Sequence, residues 1–420
     1  MNTNQHNRHL DAIATIKNKL LGRKLNYKEI YNLIDEISHQ RLGNILTTYF
    51  VAAGFKEGFS DEELYLFTKA MVETGNKLSF SGIVADKHST GGVSGTRTTL
   101  IVVPIIAAAG FKIPKISSRA ITSPAGTADV MELIANVEFT PHEIEKIVNK
   151  VGGCIVWNGK LNLAPADDII IKVEEPLSFE SFDKIIISIM AKKIAVSSNH
   201  LILDIPVGKT MKIRHFSDAE KMADKFIQLG KRFNIEVVVD INEMTEPAGR
   251  GVGPYLEARD VLYVLEQKQH RPLGLENKAV RLAGKLLNIC YKTAKIAKNG
   301  EDEARKILTS GQALKKFQEI VAAQDGKTNF SSEHFKSRAH KQLVISQQSG
   351  IIKSINNYNL NSLAKILGAP NDKYAGIYLL KKIDETVKKN EPILEFYSCS
   401  KYHLSEAEAT LAGFPIYQFE

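Results

Sequence analysis

One stretch, residues 83–116, limits the possible folds more than any other part of the sequence. A short apolar run, Ile83 to Ala85, leads into a glycine-rich segment, and an apolar run of helical character follows from Thr98 to Ala109. Gly110 ends that run, and a second short strand-like run lies near Lys115-Ile116. Strand, glycine turn, helix and strand in this order predict a βαβ unit.

The rest of the chain is rich in helical patterns, except for its tail. Predicted helices cover 10–75, 143–150, 181–197, 217–232 and 255–322, with strand-like runs at 201–205 and 236–239. From His340 onward, several short strand-like runs surround one predicted helix near 360–367. The polar stretch from Gln324 to Ser337 is typical of a linker.

Composition excludes several classes of protein. Of 420 residues, 44% are hydrophobic and 24% charged, which is typical of a globular protein and not of a disordered or collagen-like chain. Lys plus Arg exceed Asp plus Glu by 55 − 47 = 8, a balance that suits an anionic small ligand but is also a common surface bias. The charges are spread without a long basic block, so we expect no nucleic-acid partner.

Cysteine usage and hydropathy indicate a cytoplasmic protein. The three cysteines are far apart and form no metal-binding pattern, which favours a reducing compartment and predicts no metal site. The polar N-terminus lacks the apolar core of a signal peptide. The most apolar run, Leu100 to Gly110, is too short to span a bilayer, so we expect no membrane association.

The first motif with chemical content runs from Asp86 to Thr99, between the first predicted strand and helix. Its glycines let the backbone approach an anion, and free N–H groups at a helix start point toward it. Lys87 and Arg97 add positive charge, and the hydroxyls of Ser89, Thr90 and Thr98 add neutral donors. The motif predicts a phosphate-binding loop, although it lacks the Gly-Lys pair of a Walker A loop. A solvated turn is the alternative.

The second motif, Ser117 to Asp129, follows the second predicted strand and is rich in hydroxyls, with Arg119 among them. Because loops at the carboxyl ends of parallel strands meet at one ligand site, the two loops together could hold one phosphate or two. A Ser/Thr-rich surface turn is the alternative. The third motif, Ser188 to Lys193, places Ser188 and Lys192 on one helix face, which is also typical of a solvated face.

In this order and spacing, the three motifs resemble the thymidine and pyrimidine-nucleoside phosphorylase family. The resemblance extends from about Leu20 to about Leu404. Within the family, the chain looks like the AMP phosphorylase and type-2 thymidine phosphorylase branch. The segments that carry this closer resemblance are SSRAITSPAGTAD, GGCIVWNGKLNLAPADDIII, SIMAKK, LDIPVGKT and PAGRGVGPYLEARDVL.

The resemblance implies an α/β fold with two lobes. A small all-helical lobe is expected from 1–75, completed by about 160–197. A large α/β lobe with a central mixed sheet, 76–159 and 198–335, would carry the phosphate loops, and 336–420 would form a C-terminal α/β subdomain. The active site is expected between the lobes. Archaeal members of the branch carry an additional N-terminal domain with which this chain does not start, so the family's usual homodimer is expected.

The resemblance also implies a reaction. Family members cleave the N-glycosidic bond of a nucleoside or nucleoside 5′-monophosphate with inorganic phosphate as co-substrate, releasing a free base and a sugar 1-phosphate. Cleavage develops oxocarbenium character on the sugar, so the protein must hold the attacking anion and stabilise charge on the departing base. No cofactor is required. Some relatives hold a monovalent cation, and a place near such a site is one possible role for Glu257.

Site residues follow from the resemblance position by position. Phosphate binding is implied for Lys87, Ser89, Thr98, Ser117 and Thr127. Nucleoside or nucleotide binding is implied for Gly92, Ser118, Arg119, Ala120, Ile121, Thr122, Ser123, Thr127, Ser188, Lys192 and Lys212. Catalytic roles are implied for Lys87, for His88 near the sugar and base, and for Glu180 in the place of the branch's proton donor, which is an aspartate. Arg119 is the expected partner of a second phosphate because a guanidinium matches two phosphate oxygens.

One departure from the pyrimidine enzymes concerns the base. Their third base-recognition residue is an arginine, and this chain has Val173 or Glu174 there, depending on the register. An ionised Glu only accepts hydrogen bonds, which suits an exocyclic amine such as that of adenine better than a pyrimidine carbonyl. The sequence leaves thymidine and AMP both open as substrates.

Two other functions compete with phosphorolysis. A phosphoribosyltransferase shares glycine-rich phosphate loops but needs Mg²⁺, for which Asp167-Asp168 is the nearby acidic pair. A non-catalytic nucleotide-binding protein would keep the loops without turnover, which the presence of Lys87, His88 and Thr127 speaks against.

Overall fold

A computed structural model describes residues 3–120, 123–174, 181–327 and 330–420. The chain divides into two compact units. The first, here called the helical unit, comprises Met1–Val84, Asn158–Leu201 and Glu220–Val237. The second, here called the α/β unit, comprises Ala85–Trp157, Ile202–Ala219 and Val238–Glu420.

The helices within the described ranges are α1 Thr3–Leu20, α2 Tyr27–Ser38, α3 Gly43–Glu57, α4 Asp61–Glu73, α5 Thr99–Ala108, α6 Thr127–Met131, α7 Pro141–Val151, α8 Pro165–Glu174, α9 Phe182–Ala195, α10 Phe216–Arg232, α11 Pro254–Leu265, α12 Leu273–Ala294, α13 Gly300–Thr309, α14 Gln312–Ala323, α15 Asn357–Ile366 and α16 Lys401–Leu411. The strands are β1 Ala85–Ser89, β2 Ile113–Ser117, β3 Gly153–Trp157, β4 His200–Val207, β5 Glu236–Glu243, β6 Gly251–Val252, β7 His340–Ile345, β8 Gly350–Ile355, β9 Gly376–Leu379, β10 Thr386–Val387, β11 Pro392–Ser398 and β12 Tyr417–Phe419.

Periodic apolar residues form the core of the helical unit. Ile30, Leu33, Ile34 and Ile37 of α2 are buried together with apolar residues of α4, α8 and α9. Helix α4 begins at a capping box in which Ser60 and Glu63 each bond the other's backbone N–H. The helices predicted here from apolar spacing are confirmed.

Two small sheets position the loops of the α/β unit. Strands β2 and β3 pair in parallel, from Ile113 opposite Gly153 to Ser117 opposite Trp157. A second sheet has the strand order β1-β4-β5. Helix α5, whose residues are buried from Thr99 to Ala107, connects β1 to β2. The predicted βαβ order is therefore present, and both β1 and β2 end in one of the predicted phosphate loops.

The tail of the α/β unit, residues 340–420, is here called the C-terminal subdomain. It contains an antiparallel sheet of β9, β11 and β7, whose strand β9 also pairs with the short β6, and a second sheet of β10, β8 and β12. These strands and α15 and α16 enclose an apolar cluster that includes Leu360, Leu363 and Phe396.

Several elements of the described chain were not predicted from residue patterns, namely α6, α8, α16, β3, β6, β10 and β12. Strands β6 and β10 have two residues each, too few for an alternating pattern. Helix α16 buries only Leu404 and Ala407, so its sequence shows little apolar spacing, and β12 is a three-residue strand. No helix in the described part of the chain is long and apolar enough to cross a membrane.

Candidate active site

The glycine-rich loop follows β1 and leads into α5. Lys87 on β1 is buried, and its Nζ lies 3.4 Å from Thr99 Oγ1. Thr90 and Thr98, in the loop that Lys87 introduces, each have a buried hydroxyl oxygen for which the described residues supply no hydrogen-bond partner. Buried polar atoms in proteins are nearly always partnered, so these hydroxyls indicate a place for a polar ligand.

The carboxylate of Asp204 compensates the charge of the buried lysines around this loop. Asp204 on β4 is buried and accepts hydrogen bonds from Lys278 Nζ at 2.9 Å and Asn242 Nδ2 at 2.8 Å. Burial alone would raise the pKa of Asp204, but the charges of Lys278 and Lys87 outweigh it and hold that pKa below its ordinary value. Asp204 is therefore an anionic neighbour of Lys87.

The other predicted residues of the first loop lie close by in the chain. His88 and Ser89 end β1 and are partly buried, and Ser89 Oγ accepts from Gly91 N at 3.4 Å. Gly92 has a φ of +86°, and a Cβ there would lie 2.9 Å from Cγ of Lys212. Only glycine leaves room for this contact, so the Lys212 stem packs directly against the turn at Gly92.

The second loop begins at Ser117, the last residue of β2, and ends where Thr127 starts α6. Asp129 fixes its shape, because Asp129 Oδ2 accepts from Ala120 N at 2.7 Å and Gly126 N at 2.9 Å. Ser118 O accepts from Ala128 N, and Ser123 Oγ donates to Ala125 O. Ile121 and Thr122 lie outside the described residues.

Arg97 links the two loops. Its Nη1 donates to Thr127 Oγ1 at 3.0 Å and its Nη2 to Ala125 O at 2.7 Å. Its Nε donates to Glu257 Oε2 at 2.8 Å, and the other carboxylate oxygen accepts from Gly253 N at 3.2 Å. Arg97, which was expected to add positive charge for phosphate, thus holds Thr127 in place through a hydrogen bond. The positive charge beside the buried Glu257 is Arg97 itself, an arrangement that does not fit a monovalent cation held by that carboxylate.

Arg119 is engaged in ion pairs. Its two terminal nitrogens lie 2.6 Å from the two oxygens of Glu132, and its guanidinium lies 4.7 Å from the Trp157 ring centroid. The hydrogen bonds from Arg119, together with Lys373, lower the pKa of Glu132 to about 2. In this state the Arg119 guanidinium, which was expected to bind a second phosphate, binds the Glu132 carboxylate.

The two residues expected to recognise the base, Ser188 and Lys192, lie in the helical unit. Ser188 and Lys192 are one turn apart on α9, and Asp167 of α8 faces both. Asp167 Oδ2 accepts from Ser188 Oγ at 2.7 Å and lies 2.6 Å from Lys192 Nζ. Asp167 is fully buried, and its Oδ1 has no hydrogen-bond partner among the described residues.

This ion pair fixes charge and hydrogen-bond direction. Burial would raise the pKa of Asp167, but the charge of Lys192 holds it below its ordinary value; burial would lower the pKa of Lys192, but Asp167 holds it above its ordinary value. Because an ionised carboxylate only accepts hydrogen bonds, the Ser188 hydroxyl must donate its proton to the hydrogen bond with Asp167. Ser188 therefore offers a ligand an acceptor, and Lys192 offers it a donor.

The residues considered in place of the arginine are otherwise engaged. Val173 packs against the apolar core of the helical unit. Glu174 is buried and forms an ion pair with Lys184. Glu180 lies outside the described residues. Asp183, its neighbour in sequence, accepts from Phe59 N at 2.9 Å and pairs with Lys225.

Sequence reasoning missed Asp167 as part of the base site. We considered the Asp167-Asp168 pair only as a magnesium ligand, and Asp167 is 21 residues from Ser188, too far for any local pattern to connect them. Among the described residues, no group of three or more His, Cys, Asp and Glu side chains could hold a metal ion.

Two family models match this chain. A family model described as the glycosyl transferase family, a/b domain, matches residues 81–314. A second, described as the pyrimidine nucleoside phosphorylase C-terminal domain, matches residues 351–413.

Curated relatives cover nearly the whole chain. AMP phosphorylase 1 of Archaeoglobus fulgidus is 41% identical over 397 residues, which is 94% of this chain and 78% of that protein. AMP phosphorylase of Methanococcus maripaludis is 43% identical over 398 residues, with the same coverage. AMP phosphorylase of Thermofilum pendens is 42% identical over 401 residues, 95% of this chain and 77% of that protein.

Solved structures confirm the fold class. Anthranilate phosphoribosyltransferase from Thermus thermophilus matches with a TM-score of 0.62 at 18% identity, over 74% of this chain and 99% of that one. The enzyme from Saccharomyces cerevisiae matches with a TM-score of 0.59 at 15% identity, over 74% and 98%. At these identities the likeness concerns the fold and not the reaction, and it agrees with the predicted helical and α/β lobes.

Proposed function

Since this chain belongs to the AMP phosphorylase branch of the pyrimidine-nucleoside phosphorylase family, we propose that it cleaves the N-glycosidic bond of AMP with inorganic phosphate. The products are adenine and a sugar 1-phosphate that keeps its 5′-phosphate. The family resemblance inferred from the motifs is thereby confirmed. The observation that carries the choice of AMP is the 41–43% identity to AMP phosphorylases over 94% of this chain.

Inorganic phosphate is the nucleophile in this proposal. Lys87 supplies a buried positive charge, and Thr90 and Thr98 supply buried hydroxyls that have no partner among the described residues. A phosphate oxygen forms the bond to C1′ while the bond from C1′ to the base nitrogen breaks and its electron pair goes to the base. Charge at the sugar passes through an oxocarbenium-like state, so a fixed anion nearby stabilises the transition state. No covalent intermediate with the protein is needed.

Adenine suits the base site because its edge carries the complementary groups. Its exocyclic amine can donate to Ser188 Oγ, and a ring nitrogen can accept from Lys192 Nζ. The Lys192 ammonium also stabilises the negative charge that develops on the departing base. A uracil or thymine edge has an N–H and a carbonyl in comparable order, and the names of the relatives favour AMP over a pyrimidine nucleoside.

Glu180 is the proposed source of the proton that the departing base takes up. It corresponds to the aspartate assigned as proton donor in the branch and has the same acidic group on a side chain one methylene longer. His88 on β1 is proposed to lie near the sugar. Substitution of Glu180 by Gln keeps the size and removes the acid, so it should lower kcat by at least tenfold.

The proposal includes a cytoplasmic homodimer. Its support is the three free cysteines and a set of exposed large apolar side chains on α1 and α3, namely Leu10, Leu20, Ile45, Tyr49 and Phe55. Sedimentation equilibrium at micromolar concentration distinguishes the dimer from a monomer of 46.6 kDa.

The substrate experiment compares base release from AMP, adenosine, thymidine, uridine and cytidine, each with and without phosphate. We expect phosphate-dependent release from AMP that exceeds release from every nucleoside. Release from thymidine at a higher rate would assign the chain to the pyrimidine enzymes. Release that needs pyrophosphate and Mg²⁺ would instead indicate a phosphoribosyltransferase, an activity that the relatives do not favour.

A further inference from the structure

The carboxamide of Asn357 bridges two backbone groups of the glycine-rich loop. Asn357 is the first residue of α15 in the C-terminal subdomain, and its side chain is 1% exposed. Its Oδ1 accepts from Ser94 N at 3.0 Å, and its Nδ2 donates to Gly92 O at 2.5 Å. A primary amide thus pairs with the loop as a neighbouring strand would.

The loop needs such a partner because its own backbone is irregular. Gly91 and Gly92 both have positive φ values, +84° and +86°, and the segment belongs to no helix or strand. Ser94 is buried, so its N–H would lack a partner if the Asn357 carboxamide were removed. One turn along α15, Asn361 accepts a second hydrogen bond from Ser94 Oγ.

Asn357 also joins this loop to the segment that carries Lys212. Its backbone N–H donates to Thr210 Oγ1 at 3.3 Å. Two residues further on, the Lys212 stem packs against the Gly92 turn. Asn357 therefore fixes the position of the turn at Gly92 relative to the segment that carries Lys212.

The C-terminal subdomain reaches the second loop as well. Lys373 Nζ lies 2.7 Å from Asp129 Oδ1 and 3.1 Å from Glu132 Oε2. Asp129 is the carboxylate that holds the backbone of Ala120 and Gly126. Contacts from 340–420 thus support both loops of the α/β unit.

We propose that Asn357 is a positioning residue for nucleotide binding: the C-terminal subdomain uses it to fix the Gly92 turn against Lys212. The inference rests on the proposed function, which gives Gly92 and Lys212 a nucleotide to bind. It assigns to the subdomain a share in substrate affinity, in addition to any share in folding.

The test compares Asn357→Ala with Asn359→Ala in the full-length chain. Asn359 is two residues along the same helix, and its side chain bonds Pro415 O and not the loop. We expect Asn357→Ala to raise KM for AMP at least tenfold while KM for phosphate changes less than threefold. Asn359→Ala should leave both constants within twofold of the wild type.

Further readouts separate positioning from folding. Asn361→Ala removes only the contact to Ser94 Oγ, and it should raise KM for AMP by a smaller factor with little change in the thermal midpoint. A lowered thermal midpoint with KM for AMP unchanged in both variants would overturn the positioning role. The proposed function fails separately, if the wild type releases no adenine from AMP in the presence of phosphate.

Discussion

The fully buried Asp167 and the partly buried Lys192 form an ion pair in which Oδ2 lies 2.6 Å from Nζ, and the same oxygen accepts from Ser188. One carboxylate thus keeps the lysine charged and determines which way the serine hydroxyl points. It also leaves one oxygen, Oδ1, without a partner among the described residues. The proposed base site is therefore a unit of three residues and not the pair indicated by the motif.

Replacing Asp167 by Asn should damage substrate use far more than replacing its neighbour. The neutral amide no longer compensates the charge of Lys192, and Ser188 no longer has to donate its proton to that side chain. We therefore expect kcat/KM for AMP to fall about 100-fold, which is the range seen when a buried charge pair is broken. Asp168→Asn is the matched control, because the structure shows Ser188 and Lys192 bonded to Asp167. Equal loss in the two variants would refute the special role of Asp167.

Lys87→Ala should nearly abolish turnover, with a loss of at least 100-fold in kcat/KM for phosphate. The buried ammonium is the charge proposed to neutralise the attacking anion, and alanine removes it. Circular dichroism should show an intact fold. Lys209→Ala, at an exposed lysine of the same unit, should behave as the wild type. Retained activity in Lys87→Ala would contradict the phosphate site.

Activity should not depend on a monovalent cation, because Arg97 already supplies the charge next to Glu257. Initial rates in potassium, sodium and choline buffers of equal ionic strength should agree within about twofold. Arg97→Ala removes the donor to Thr127 and should raise KM for phosphate. A strict potassium requirement in the wild type would show that the carboxylate binds a cation in place of the guanidinium.

The pairing of Arg119 with Glu132 should appear in the pH dependence of stability. The folded pKa of Glu132 is about 2, below its ordinary value of 4.5, so the pair contributes stability above about pH 4.5 and loses it as the pH falls toward 2. Urea unfolding of the wild type and of Arg119→Ala should differ most above pH 5, and the difference should shrink by pH 3. A difference that is constant with pH would mean that Arg119 acts through packing on Trp157.

The sequence predicted those parts of the site that depend on local order. Strand, glycine loop and helix are consecutive in the chain, so the placement of Lys87, Ser89 and Thr98 follows from the pattern of residues 83–116. The helical spacing of Ser188 and Lys192 is likewise local and is confirmed as a shared face of α9.

Long-range partners could not be predicted. Arg97 has the appearance of a phosphate ligand in sequence, but its guanidinium is used by Glu257, 160 residues away. Asn357 lies 265 residues from Gly92, in a segment whose sequence shows only a short polar helix start. Such pairs depend on tertiary packing, which the spacing of residues in a single sequence does not reveal.

The most direct test of the account is adenine release from AMP by the purified chain, measured with and without inorganic phosphate and with analysis of the sugar product. The account predicts adenine release only with phosphate, in equal amount to a sugar that carries phosphate at both C1′ and C5′. Adenine release at the same rate without phosphate, with unsubstituted C1′, would show hydrolysis and contradict it.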